Sequence, residues 1–281
     1  MKEGVLSIRV CFCNDSIHAG CYKFFIYFGN DSAVEARYAE VDTVHNACAY
    51  NVIYQFLCII CNKVKSNLCC LGIFFYKFYD RSFIFCEVIR VSLLVKYLRE
   101  DMNIPTENIA VLIALGTHRK NTEEEKKTLA GEYAYNNCAM VVDHDCDADD
   151  LEYVGTTSMG TEVYVNPLAV GRKVIVISGT VHHLMAGYGG GRKSIVPGIA
   201  GRKTIKMNHI RALDVNEPKS DERVGSGKFT NNPINIDMLE AGRMVNPVFG
   251  INICVNSASK HSGLFSGDFE KAWKESCMYI Q

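Results

Sequence analysis

Two short runs of apolar, largely β-branched residues organise the chain beyond residue 105. Ile109–Leu115 and Lys173–Gly179 carry almost no polar alternation, the pattern of strands covered on both faces, and each meets a glycine at its end, Gly116 and Gly179. After the first run, Asn121-Thr122 followed by Glu123-Glu124-Glu125 predicts an N-cap and an acidic first helical turn. A turn over Thr156–Gly160 precedes a predicted exposed strand from Glu162 to Asn166. Asn231-Asn232-Pro233 predicts a loop capping a helix that runs through Met238-Leu239-Glu240, and Phe249–Asn256 alternates as a further strand. Strands and helices in alternation predict an α/β domain whose sheet is largely parallel and flanked by helices.

The chemistry concentrates where the second run ends. His182-His183-Leu184-Met185-Ala186 leads into Gly187-Tyr188-Gly189-Gly190-Gly191-Arg192-Lys193-Ser194, placing two imidazoles, a glycine turn and two cations within one loop. Glycines allow positive φ and close backbone approach, so Gly189, Gly190 and Gly191 are expected to cradle an anionic cofactor group. Arg192 suits a planar oxyanion, and the Lys193 amine a point contact or a covalent bond. His118, in Gly116-Thr117-His118-Arg119, lies past the other strand end. In open α/β sheets that edge faces the ligand, so His118 and His183 can share a pocket. His209, after Met207-Asn208, can fold back as a metal ligand. Gly-Arg-Lys recurs at 171, 191 and 201, but only the middle copy follows a glycine run; the others read as a turn and a helix-end basic pair.

Gly116-Thr117-His118-Arg119, the stretch from His183 through Gly198 to Gly201, and Lys203-Thr204-Ile205 through Asn208-His209 together resemble the nickel-pincer lactate racemase family in residue type and spacing. The likeness runs from about Val91 to about Trp273. It implies a Rossmann-like N-terminal catalytic domain of a two-domain family. It also implies an isomerase that interconverts stereoisomers of a small 2-hydroxy acid such as lactate by hydride transfer to a nickel-pincer nucleotide. That cofactor, a pyridinium-derived mononucleotide carrying nickel, would be covalently attached to Lys193, with His209 as metal ligand and His118 and His183 as the acid/base pair. Proteins that make the cofactor are then implied partners. Imidazole suits such proton transfers near neutral pH, and hydride chemistry belongs to a cofactor. The Asp-x-Thr-Arg-Pro type motif whose arginine holds the substrate carboxylate in that family has no counterpart; the nearest candidate is Asp80-Arg81-Ser82-Phe83.

Composition divides the chain. Residues 1–104 contain none of the six prolines, and nine of thirteen cysteines and ten of fourteen phenylalanines precede residue 87. Residues 1–90 therefore read as a diverged or frame-shifted N-terminal region, and residues 91–281 as the family-like domain, with the second family domain expected to be absent. An incomplete site leaves an alternative: a catalytically inactive fragment that only binds a nucleotide or phosphate ligand. A phosphate-using transferase is a weaker option that leaves three placed histidines without a task.

The remaining features exclude classes of function. A net charge of −1 gives no electrostatic case for nucleic acid. Val52–Cys61 falls short of the roughly 20 apolar residues of a membrane span. No basic leader with a cleavage site opens the chain, and thirteen cysteines fit a reducing compartment, so a cytoplasmic enzyme is expected. Cys58-Ile59-Ile60-Cys61 has zinc-like spacing without a second pair. Asp143–Asp150 reads as a solvated acidic connection, lacking the glycine and distal glutamate of a calcium loop.

Overall fold

The computed structural model describes residues 24–28, 32–36, 71–76, 81–256 and 261–281. The Cys58–Cys61 pair, the Val52–Cys61 run and Asp80 lie outside them, and of Arg81 only its place at a helix start is described.

The architecture is mixed α/β. The main sheet has six strands in the order β12-β11-β8-β3-β4-β5: β3 (Leu71–Tyr76), β4 (Ile109–Ala114), β5 (Met140–Asp143), β8 (Lys173–Gly179), β11 (Phe249–Val255) and β12 (His261–Gly267). β11, β8, β3, β4 and β5 pair in parallel, whereas β12 closes one edge antiparallel to β11. Three separate antiparallel ribbons accompany it: β1 (Phe24–Phe28) with β2 (Ser32–Ala36), β6 (Glu152–Thr156) with β7 (Glu162–Val165), and β9 (His182–His183) with β10 (Gly187–Tyr188). The sheet composition is thus mixed, where the apolar runs alone predict parallel pairing.

Period-two geometry explains the unbroken apolar runs. Ile109 and Val111 of β4, with Ile175 and Ile177 of β8, enter one core with Val91, Leu94, Val95 and Leu98 of helix α1 (Arg81–Glu100). Leu112 and Ala114, with Val174 and Val176, enter a second core with Ile195, Val196, Ile199, Ile234 and Met238. Both sheet faces are covered, so apolar residues fill both sides of these strands, and the buried Ser178 of β8 is hydrogen-bonded.

The helices start where the capping signals lie. Thr122 caps α2 (Glu123–Ala130) in a reciprocal capping box with Glu125. α3 (Glu132–Asn137) follows at Gly131. α4 (Arg202–His209) begins after Gly201. The Asn232 side chain accepts from the Ile234 and Asn235 amides at the start of α5 (Pro233–Val245), and Asp268 caps α6 (Phe269–Ile280).

One sequence expectation changes. β7 is half buried rather than exposed, because Val163 and Val165 point into the second core. The acidic stretch after β5 lies largely at the surface, with Asp147, Asp149 and Asp150 exposed: Asp143 accepts from the Asn121 backbone and side chain, Asp145 pairs with Lys120, and Asp147 takes a bidentate contact from Arg202 at 2.6 Å. Among the described residues, no helix is long and apolar enough to cross a membrane.

Candidate active site

The loop joining β8 to α4 starts at the surface, with His182 and Leu184 exposed, and from Ala186 onward lies inside the protein. Every residue from Gly191 to Ala200 is buried, including Arg192, Lys193 and Ser194. The β9–β10 hairpin turns the chain back after His183, and a short 3₁₀ turn over Gly191–Ser194 follows. Gly190 and Gly191 hold φ of 73° and 50°, a region that side chains disfavour. Space is equally restrictive: a Cβ on Gly191 would stand 2.6 Å from the Trp273 ring, and one on Gly190 would stand 2.8 Å from the Thr180 hydroxyl.

Packing therefore demands these glycines, and two of their amides are engaged within the protein. The Gly189 amide donates to the Val181 carbonyl at 2.7 Å, and the Gly191 amide to the Ser178 hydroxyl at 2.8 Å. Those N–H groups face protein, not a ligand. Arg192 is held within the protein as well. Its guanidinium is fully buried, donating to Asn235 Oδ1 at 2.7 Å, to the Ala186 carbonyl at 2.7 Å and to the Gly189 and Gly190 carbonyls, while lying 3.8 Å from the centre of the Trp273 ring. These contacts are structural, because a buried guanidinium needs partners for its fork of N–H groups and the protein supplies them.

Lys193 is buried beside that cation. Burial first, and the Arg192 charge second, hold its amine down at about 7. A substantial neutral fraction near neutral pH makes it a usable nucleophile. His183 is partly buried, and desolvation together with the charges of Lys193, Arg192 and His209 pushes its ring down to about 3. Its Nδ1 accepts from the Met185 and Ala186 amides at 3.2 and 3.0 Å, so the neutral ring carries its proton on Nε2. Burial and the Lys193 charge also lower His209. These mutual effects place Lys193, His183 and His209 within one electrostatic neighbourhood.

His118 stands apart from that interior cluster. It is exposed, at the tip of a turn closed by its amide on the Leu115 carbonyl. The turn is nonetheless fastened to the lysine loop, since the Gly116 amide donates to the Gly198 carbonyl at 2.8 Å.

Buried polar atoms without hydrogen-bond partners in this region include Tyr188 Oη in the glycine loop, Asn252 Nδ2 near Gly190, Ser194 Oγ beside Lys193, and Asn208 Oδ1 and His209 Nδ1 at the end of α4. The Ile205 carbonyl still favours the charged form of His209, though it does not meet hydrogen-bond geometry with Nδ1. Buried orphans flanking a reactive amine and an imidazole are what an additional polar group in the site would satisfy. The residues therefore fit a group attached at Lys193 and ligated at His209. Among the described residues, no three His, Cys, Asp or Glu side chains cluster as a metal site.

Sequence reasoning missed two supports. His144, 1% exposed, contacts the Ala200 carbonyl through Nε2 at 3.0 Å and Asn166 through Nδ1. Asp237, 1% exposed, accepts from Thr157, Thr161 and Asn208, and Arg211 lies alongside, which fixes the end of α4 next to His209. Asp237 shares its helix with Glu240, so nothing in the sequence singles it out.

The lactate racemase N-terminal domain model matches residues 86–221. The lactate racemase of Thermoanaerobacterium thermosaccharolyticum is 34% identical over 193 residues, covering 68% of this chain and 44% of that protein. The lactate racemase of Lactiplantibacillus plantarum is 34% identical over 178 residues, covering 63% and 41%. The chain thus spans less than half the length of these relatives. In fold, it matches the lactate racemase apoprotein structure from T. thermosaccharolyticum with a TM-score of 0.70 at 24% identity, over 92% of this chain and 62% of that one. It also matches a Thermotoga maritima protein with a TM-score of 0.64 at 19% identity, over 86% and 60%. Through residues 86–221, with the lysine loop and His209 inside the match, the chain belongs to the lactate racemase family and carries its N-terminal domain.

Proposed function

We propose that this chain supplies the cofactor-bearing half of a 2-hydroxy acid racemase, with lactate as the model substrate. The observation that carries the reading is the buried Lys193 amine, held near neutrality next to His183 and His209. A nickel-pincer nucleotide bound there would supply the hydride acceptor. Lys193 would hold it through an amide at Nζ, formed as the neutral amine displaces hydrogen sulfide from a thioacid carbon of the cofactor, and His209 would ligate its metal.

The protein residues then handle the hydroxyl proton. His118, open to solvent on its turn, can accept it on one face of the substrate. His183 begins as a donor from Nε2, because two amides occupy Nδ1. It becomes a base at Nε2 only when those amides let go and the ring exchanges tautomer. Amide formation at Lys193 removes one of the charges that depress His183, and an anionic substrate carboxylate nearby would raise it further. Both changes move the ring toward the range a general base needs. The imidazolium formed on one side can return its proton to the ketone oxygen, while inversion would depend on hydride from the cofactor returning to the opposite face of the planar C2, so a base is needed on each side of the substrate.

The partners in this reading are a small 2-hydroxy acid and the proteins that make the cofactor. Neither nucleic acid nor a membrane has a role in it. The test is chiral chromatography of L-lactate incubated with the chain produced alongside the cofactor-making enzymes. Formation of the D-isomer, abolished by His118→Ala and by His183→Ala, is the expected result. Retention of a pyridine mononucleotide or phosphate without any D-isomer would favour the non-catalytic alternative.

A further inference from the structure

The family match ends at residue 221, yet the lysine loop is held from beyond it. Trp273, the only tryptophan in the chain, donates from Nε1 to the Gly189 carbonyl at 2.8 Å. Its ring lies against Gly191 and under the Arg192 guanidinium, and Phe229 meets it edge-on at 5.9 Å. Asn235, on α5, accepts from Arg192 Nε and itself donates to the Phe229 carbonyl at 2.6 Å. Asn232, the cap of the same helix, donates to the Met185 carbonyl at 2.6 Å. α5 and α6 thus grip the loop at Met185, Gly189, Gly191 and Arg192.

We infer that Arg192, Trp273 and Asn235 form a buried clamp that sets the reactivity of Lys193, making α5 and α6 working parts of the lysine site. Each member acts through Lys193 and is a positioning residue. The geometry carries this: Trp273 and Asn235 fix the guanidinium plane, that plane binds three carbonyls of the turn, and the next residue in the turn is the lysine. A fork is needed to bind several carbonyls at once, so a point charge cannot replace it. The same guanidinium keeps a positive charge next to the amine and favours its neutral, nucleophilic form. The inference rests on Lys193 being the reactive residue of the proposed function, but its test needs neither cofactor nor substrate.

The experiment is competitive acetylation of the full chain with trace acetic anhydride between pH 6 and 10. Lys193 is compared with the half-exposed Lys127 in the same sample by peptide mass spectrometry, and urea midpoints are recorded in parallel. Arg192→Gln is expected to lower the Lys193/Lys127 ratio at pH 7.5 at least tenfold and to move the Lys193 midpoint up by a pH unit or more. Trp273→Phe, which keeps an aromatic face but loses the indole N–H, is expected to lower the ratio severalfold while the chain stays folded. Arg192→Lys, with charge but no fork, is expected not to restore it. An unchanged ratio and midpoint in folded Arg192→Gln and Trp273→Phe proteins would overturn the clamp, whatever their urea midpoints. Full rescue by Arg192→Lys would also overturn it, since charge alone would then suffice. If Lys193 of the unsubstituted chain behaves as an ordinary lysine, the functional reading itself fails, and the two failures are distinguishable.

Discussion

The loops after β4 and β8 occupy equivalent places, each leaving the carboxyl end of a fully buried strand, yet they are built in opposite ways. Gly116–Lys120 is short and, past Gly116, exposed throughout. Its charged groups pair at the surface, Arg119 with Glu125 and Lys120 with Asp145. The loop after β8 buries an arginine and a lysine and meets the cost with carbonyl acceptors, an aromatic face and a lowered amine pKa. Strand-end position brings residues to one edge of the sheet; enclosure decides what their side chains can do. An enclosed amine can be held neutral at a pH where a lysine is ordinarily charged.

The sharpest test of this contrast is a methyl group placed in each loop. Gly191→Ala puts Cβ 2.6 Å from Trp273 at a φ of 50° and is expected to cost about 3 kcal/mol or more in urea unfolding. Gly116→Ala has a similar φ of 58° but meets Pro197 only at 3.3 Å, so about 1–2 kcal/mol is expected. Equal costs would mean that backbone strain alone, not enclosure, separates the loops.

Next in size is a gain. Lys193→Met removes an amine whose protonation is penalised in the folded state, and is expected to stabilise the chain by about 2 kcal/mol at pH 6. The folded amine sits at about 7 and the unfolded one near its model value of 10.5. Wild-type stability therefore rises as pH goes from 7 to 10.5, and the advantage of methionine shrinks over that window. A thermal melt series across it reads both sign and range.

A smaller effect belongs to His183. Its folded pKa is depressed to about 3, so the unfolded chain binds the extra proton first, and stability falls as pH drops below about 6.5. The ring is only partly buried, and solvent screening limits the effect to about 1 kcal/mol, seen as a shallower acid slope in His183→Gln. Smallest of all, His118→Ala is expected to change stability by less than about 0.5 kcal/mol. A large loss there would show that the turn is structural.

Much of the scaffold was legible because strand and cap signals are local. Unbroken apolar runs marked β4 and β8, Thr122 with Glu125 marked the start of α2, and Asn232-Pro233 marked α5. Lys193, His183 and His209 were legible as chemistry through residue type and spacing, and the fold brings them into one neighbourhood. What sequence concealed is the direction each group faces. Arg192 looked like a ligand contact because an arginine beside a glycine run is usually exposed; only Trp273 and Asn235, 81 and 43 residues away, turn it inward. His144 and Asp237 were invisible for the same reason, since their partners are supplied by distant loops. The antiparallel β12 edge depends on a return of the chain after β11 that no apolar run foretells.

The most direct measurement is the intact mass of the chain produced together with the cofactor-making enzymes, for the unsubstituted protein and for Lys193→Ala. A covalent adduct of mononucleotide size on the first and none on the second is the predicted result. An adduct that persists in Lys193→Ala would contradict the assignment of Lys193 as the attachment site, and with it the central claim.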